Sequence, residues 1–80
     1  MAELSEAEVT KILEEIEIRI DNIRNDIEPY ANADWITDLV EDHHLSRRED
    51  FKPMLRTFCD VLKEKGYPDT SAFMSKQWKL

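Results

Sequence analysis

The chain has one glycine, one cysteine and three prolines among its 80 residues, and each scarcity closes a route. A single glycine, Gly66, rules out a glycine-rich loop cradling phosphate and a calcium loop built around a central glycine. Glycine-dependent hairpin turns are equally scarce, and no stretch alternates apolar and polar residues convincingly, so sheets are not expected. The lone Cys59 excludes an intramolecular disulfide. No apolar run reaches the roughly 20 residues of a membrane span, and no signal peptide is read, so no membrane partner and a cytoplasmic location are expected. Basic charge is short as well. Eleven Lys and Arg stand against 18 Asp and Glu, leaving −7. The pI near 4.7 opposes direct binding to nucleic acid.

What is abundant is helical periodicity. Val9, Leu13, Ile16, Ile20, Ile23, Ile27 and Tyr30 recur at alternating steps of four and three, the heptad period of a helix packed lengthwise on others. Ser5 and Glu8 form a capping box at its start, and Pro29 is read as its stop. The stretch from Ser5 to Glu28 therefore predicts one long amphipathic helix. At about 1.5 Å per residue it is a rod of roughly 36 Å, long for so small a chain. Ile18 projects from the side opposite the seam.

A second helix is expected from Asp34, as its cap, through about His43, with Trp35, Ile36, Leu39 and Val40 on one face. For the third, Ser46 and Glu49 offer a capping box, but starting there places Pro53 deep inside the helix. An interior proline costs about 3 kcal/mol and a missing cap about 1. The start is therefore set at Asp50, with a short extra turn allowed at 46–49. Phe51, Met54, Leu55, Phe58, Val61 and Leu62 then share a face, and Gly66 is the expected left-handed terminator. Residues 69–80 predict a short last helix capped by Asp69 or Thr70, with Trp78 docking on the core.

Chemical signatures are sparse. Glu41-x-x-His44 has the spacing of one half-site in helical di-iron carboxylate proteins, but occurs once. His43 with Cys59 lacks two further zinc ligands. Cys59 beside Phe58 reads as a small core residue and not as a nucleophile. A helix-turn-helix over residues 36–55, with Arg47 and Arg48 near its second helix, lacks the small turn residue such a unit favours. In size and acidity the chain resembles acyl carrier proteins and colicin immunity proteins in outline only. The Asp-Ser-Leu of the first and the Tyr-Tyr-Pro of the second are absent.

The charge is unevenly distributed. Residues 1–42 hold 13 acids against 3 bases, and residues 43–80 hold 5 against 8. Such halves attract one another within one chain, between two copies, or attract a basic partner. The sequence thus predicts an all-α fold: one domain over residues 1–80, a small bundle of three helices plus a short C-terminal helix, organised on the first. The expected function is non-enzymatic and regulatory or inhibitory, by binding another protein and without cofactor or metal. Glu14, Glu15, Ile18, Asp21 and Asn22 are the expected partner face. Val9, Leu13, Ile16, Ile20, Ile23 and Ile27 are the expected self-association seam of a homo-oligomer. The runner-up is an acidic nucleic-acid mimic, in which carboxylates along the rod imitate phosphates and occupy a partner's basic channel. A metal-dependent enzyme or metal-binding bundle is third.

Ile20→Asp places an unpaired charge in the middle of the seam and is expected to unfold the chain or abolish its assembly. Melting followed by circular dichroism checks this; an unchanged midpoint means the heptad is misassigned.

Overall fold

The computed structural model describes residues 4–80. Four α-helices follow one another, with no strand among the described residues: α1 (Glu6–Arg24), α2 (Pro29–His43), α3 (Lys52–Glu64) and α4 (Pro68–Gln77). One 3-10 turn, Leu45–Arg47, joins α2 to α3. The start of α1 is the expected capping box: the Glu8 N–H donates to Ser5 Oγ and the Ser5 N–H to the Glu8 carboxylate, both at 3.2 Å.

The end of α1 differs from expectation. The helix stops at Arg24, not Glu28, because a Schellman motif closes it. The Asp26 N–H bonds Ile23 O at 3.1 Å and the Ile27 N–H bonds Asn22 O at 2.8 Å. Asp26 takes the left-handed conformation this needs (φ 57°), and Glu28 follows at φ 39°. The two left-handed residues rotate the chain off the heptad register. Ile27 and Tyr30 thereby leave the seam and stand 51% and 78% exposed.

Pro29 does not end α1; it begins α2, and Pro68 likewise begins α4. A proline in the first turn has no N–H to leave unsatisfied and carries a preset φ. This explains why the expected side-chain caps are unused. Asp34 lies inside α2, and Asp69 and Thr70 lie inside α4, whose N-cap is Tyr67 without a side-chain bond. Asp50 is not the cap of α3 either. Phe51 holds that position, while the Asp50 carboxylate takes two bonds from Arg48 at 3.1 Å. The Arg48 guanidinium holds the Asp50 carboxyl below its ordinary range. Gly66 (φ 94°) ends α3 as expected, with the Tyr67 N–H bonding Leu62 O at 2.9 Å.

α1 packs on α2 and α3, and α4 packs on α3. Ile16, Ile20 and Ile23 of α1 meet Ile36 and Val40 of α2, with Leu45 of the connector. Phe51, Leu55, Phe58, Val61 and Leu62 of the third segment complete the core. Full burial of each such side chain is worth about 1.5–3 kcal/mol. Trp78 docks as expected: it is 4% exposed and stacks on Phe58, the ring centroids 6.0 Å apart.

A polar group fixes the joint between α1 and α2. Asn32 is 4% exposed. Its amide donates to Ile27 O at 2.8 Å and Glu28 O at 3.0 Å, and its carbonyl accepts from Arg19 at 3.3 Å. Arg19 also lies over the Trp35 ring, 4.1 Å from its centroid, a cation–π contact. Asn32→Ala strands Ile27 O and the Arg19 donor, while Glu28 O keeps the backbone N–H of residue 32, and it is expected to cost about 2 kcal/mol. Asn25→Ala removes an exposed bond to Asp21 O and should cost at most about 0.5 kcal/mol. Urea denaturation of both variants provides the check; equal losses remove the special role given to Asn32.

Candidate functional site

Ile18, Ile27, Tyr30 and Phe73 are the large apolar side chains left exposed among the described residues, and two surfaces that include such a side chain are candidates. The first is the outer face of α1. Ile18 stands 56% exposed there, with Glu14 and Asp21 exposed on neighbouring turns. Asp21 is held by Arg24 at 3.0 Å. The other two residues of the expected partner face sit differently. Glu15 is half-buried. Asn22 is half-buried as well, its amide turned toward the Asn32 carbonyl at 3.5 Å. At about 100° per residue both fall on the flank of α1 that meets α2, so the open part of this face is Glu14, Ile18 and Asp21.

The expected self-association residues are also divided. Ile16, Ile20 and Ile23 are covered by the chain's own α2 and α3 and are at most 1% exposed. They offer no surface to a second copy of this fold. Val9 and Leu13 are half-buried against the same core, and Ile27 lies outside it in the link.

The second surface was not legible in the sequence. It is a cleft of about 170 Å³ between the first halves of α2 and α4. Phe58 and Leu62 of α3 lie along it, with Pro29, Tyr30 and Ala33 on the α2 side and Tyr67 and Met74 on the other. Asp34 is the sole charged lining residue, joined by Thr37 and Thr70. Asp38, Glu28 and Asp69 neighbour these positions in sequence, and all three are exposed. At one end, Lys65 bonds Asp26 at 3.2 Å and ties the end of α3 to the α1–α2 link. The site exists because α2 and α4 each pack on another helix and make little contact with one another. Tyr30 was assigned to the buried seam, and no local pattern indicates two helices failing to meet.

Among the described residues, no three His, Cys, Asp or Glu side chains converge as a metal site would require. No described helix is long and apolar enough to cross a membrane. No protein-family model, curated protein or solved structure matches this chain.

Cys59 lies in the core at 3% exposure, and its carbonyl accepts from Ser71 Oγ at 2.7 Å. Burial pushes the thiol up; a bond with Ser75 opposes this, and the Asp60 charge adds a smaller upward push. A thiol so placed is a poor nucleophile at neutral pH. Because its folded pKa lies above the unfolded value, its contribution is complete below the ordinary thiol range and is lost as pH rises through it. Stability should fall there by up to about 1.4 kcal/mol per pH unit. Cys59→Ala should flatten that slope; parallel slopes in urea titrations at pH 8 to 10 would show that the thiol does not ionise on unfolding.

Proposed function

We propose that this chain is a small non-enzymatic binding protein, a regulatory or inhibitory module whose target is another protein. In this reading the helices form a bundle organised on α1, and the bundle presents the cleft between α2 and α4. The supporting observation is that cleft, with Tyr30 standing 78% exposed at its edge. Apolar walls around a recess suit one inserted aromatic or aliphatic side chain, the usual anchor of a protein interface. Asp34 and the neighbouring acids suit Lys or Arg flanking that anchor, which chiefly accelerates encounter. An isolated exposed isoleucine, as at Ile18, is ordinary on protein surfaces, so the α1 face ranks second. Self-association through a buried α1 seam finds no support in the geometry; a second copy would have to meet exposed residues such as Ile27 and Tyr30.

Nucleic-acid mimicry is the second reading, and it rests on the acids of residues 1–42 fixed along a rigid helix. Three variants separate the surfaces once a partner is captured from the native host. Capture is compared with and without ~0.5 M salt, at which charge-driven contacts are screened to a few Å. Tyr30→Ala should weaken binding by at least about tenfold while leaving the melting midpoint unchanged, as expected for an interface anchor. Loss on Ile18→Asp instead moves the site to α1. Loss only on joint reversal of Glu14 and Glu15, with Ile18→Asp neutral, supports mimicry. Binding unaffected by all three sinks the proposal.

A further inference from the structure

A second, larger cleft of about 560 Å³ lies where α2 and α4 end. Its character is opposite to the rest of this acidic chain. Arg47, Lys52 and Lys79 line it with His44, and Glu41 is the sole carboxylate. Apart from His44, three cations against one carboxylate leave two net positive charges among the lining residues. Arg24, Arg48 and Lys65 are engaged by Asp21, Asp50 and Asp26. The three cations of the cleft have no ion pair within the described chain, although acids outnumber bases in the sequence.

The backbone supplies an independent observation. α4 closes in a Schellman motif, the Leu80 N–H bonding Ser75 O at 2.9 Å. Its left-handed position is Lys79, at φ 55°. Glycine is the residue that position favours, and a side chain there costs about 1–2 kcal/mol. At the ends of α1 and α3 the same position is occupied understandably: Asp26 pairs with Lys65, and Gly66 is glycine. Lys79 makes no side-chain bond among the described residues, yet it lines this cleft. His44, the left-handed cap of α2 (φ 52°), lines it too. Two strained caps thus deliver nitrogen donors to one recess, the kind of outlier that points toward function.

We infer that this cleft binds a dianionic phosphate group, free or carried on a small organic molecule. The two net positive charges match the ligand's charge. Arg47 provides a planar fork for two phosphate oxygens, and Lys52 and Lys79 act as point charges. Gln77 and Ser46 line the same recess and can donate neutral bonds. The same cations disfavour a metal ion at Glu41 and His44. The site is independent of the apolar cleft and of any protein partner.

The test uses the full chain, with amide NMR shifts and calorimetry at ~0.15 M salt. Inorganic phosphate and glucose 6-phosphate are the two probes. Saturable shifts confined to residues 40–52 and 77–79 are expected, with a dissociation constant in the millimolar range or tighter. Tighter binding of the ester assigns the site to an organic phosphate, and equal binding to the free ion. Arg47→Gln and Lys52→Gln should each weaken binding by about fivefold to tenfold, while Glu41→Gln should strengthen it. Lys79→Gly separates the explanations: a purely structural position predicts greater stability and nothing else, whereas the site predicts greater stability with weaker binding. Lys63→Gln, on the exposed end of α3, should change nothing. Linear shifts, shifts spread equally over Lys63 and Lys76, or a Glu41→Gln variant that binds no better overturn the inference.

Discussion

The amide of Asn32 sets the geometry on which both surfaces depend. It reaches back from the first turn of α2 to the carbonyls of Ile27 and Glu28. In doing so it adds side-chain bonds to a link that passes through two left-handed residues, Asp26 and Glu28. The Asn32 carbonyl meanwhile takes Arg19 from α1, and Arg19 covers Trp35. One buried polar side chain thereby joins the end of α1, the link and the start of α2. Such a group is favourable only when its bonds are complete, and no buried side-chain nitrogen or oxygen among the described residues lacks a partner. The consequence is positional: with the joint held, Pro29 and Tyr30 face the apolar cleft and not the core.

The helices were legible where the signal is local. The Ser5–Glu8 box, the buried phase of Ile16, Ile20 and Ile23, the face of α3 and the terminator Gly66 all rest on short-range chemistry. Misreadings gathered at the ends. Pro29 reads as a stop in the sequence, but a proline serves equally well as a first helical residue, as Pro29 and Pro68 both do. Asp26 closes α1 where the sequence shows no glycine to announce a terminator. Asp tolerates the left-handed region better than most residues, and Lys65, far away in the chain, bonds it at 3.2 Å. That tertiary contact cannot be found from the residues beside Asp26.

The candidate surfaces divide the same way. Ile18 is visible from the helical angle alone, because any residue opposite a filled seam must face outward. Asn22 shows how fine that reasoning must be: it lies only about 40° from Ile18 on the helix, but on the side that meets α2, where its amide turns toward Asn32. The two clefts were beyond reach because each is a space between helices remote in sequence. Charge counting showed only that the later half is relatively basic. It did not show that Arg47, Lys52 and Lys79 converge, since Lys79 reaches the recess only through the closure of α4.

Both clefts follow from how little apolar surface a chain this size can supply. α3 presents core residues toward α1 and toward α4 alike, with Phe58 and Leu62 deeply buried. α2 spends Ile36 and Val40 on the core, and α4 contributes Trp78 from its end. Neither helix keeps enough apolar residues to close on the other, so the space between them stays open above α3. The Phe58–Trp78 stack lies between the two openings: Phe58 lines the apolar one and Trp78 the basic one. What fills each space is then decided by the rims. Tyr30, Tyr67 and Met74 make one apolar, and Arg47, Lys52 and Lys79 make the other cationic. The contrast arises within one small set of elements, because the turn at Leu45–Arg47 adds Ser46 and Arg47 to one rim while the other is built from α2, α3 and α4 with Tyr67.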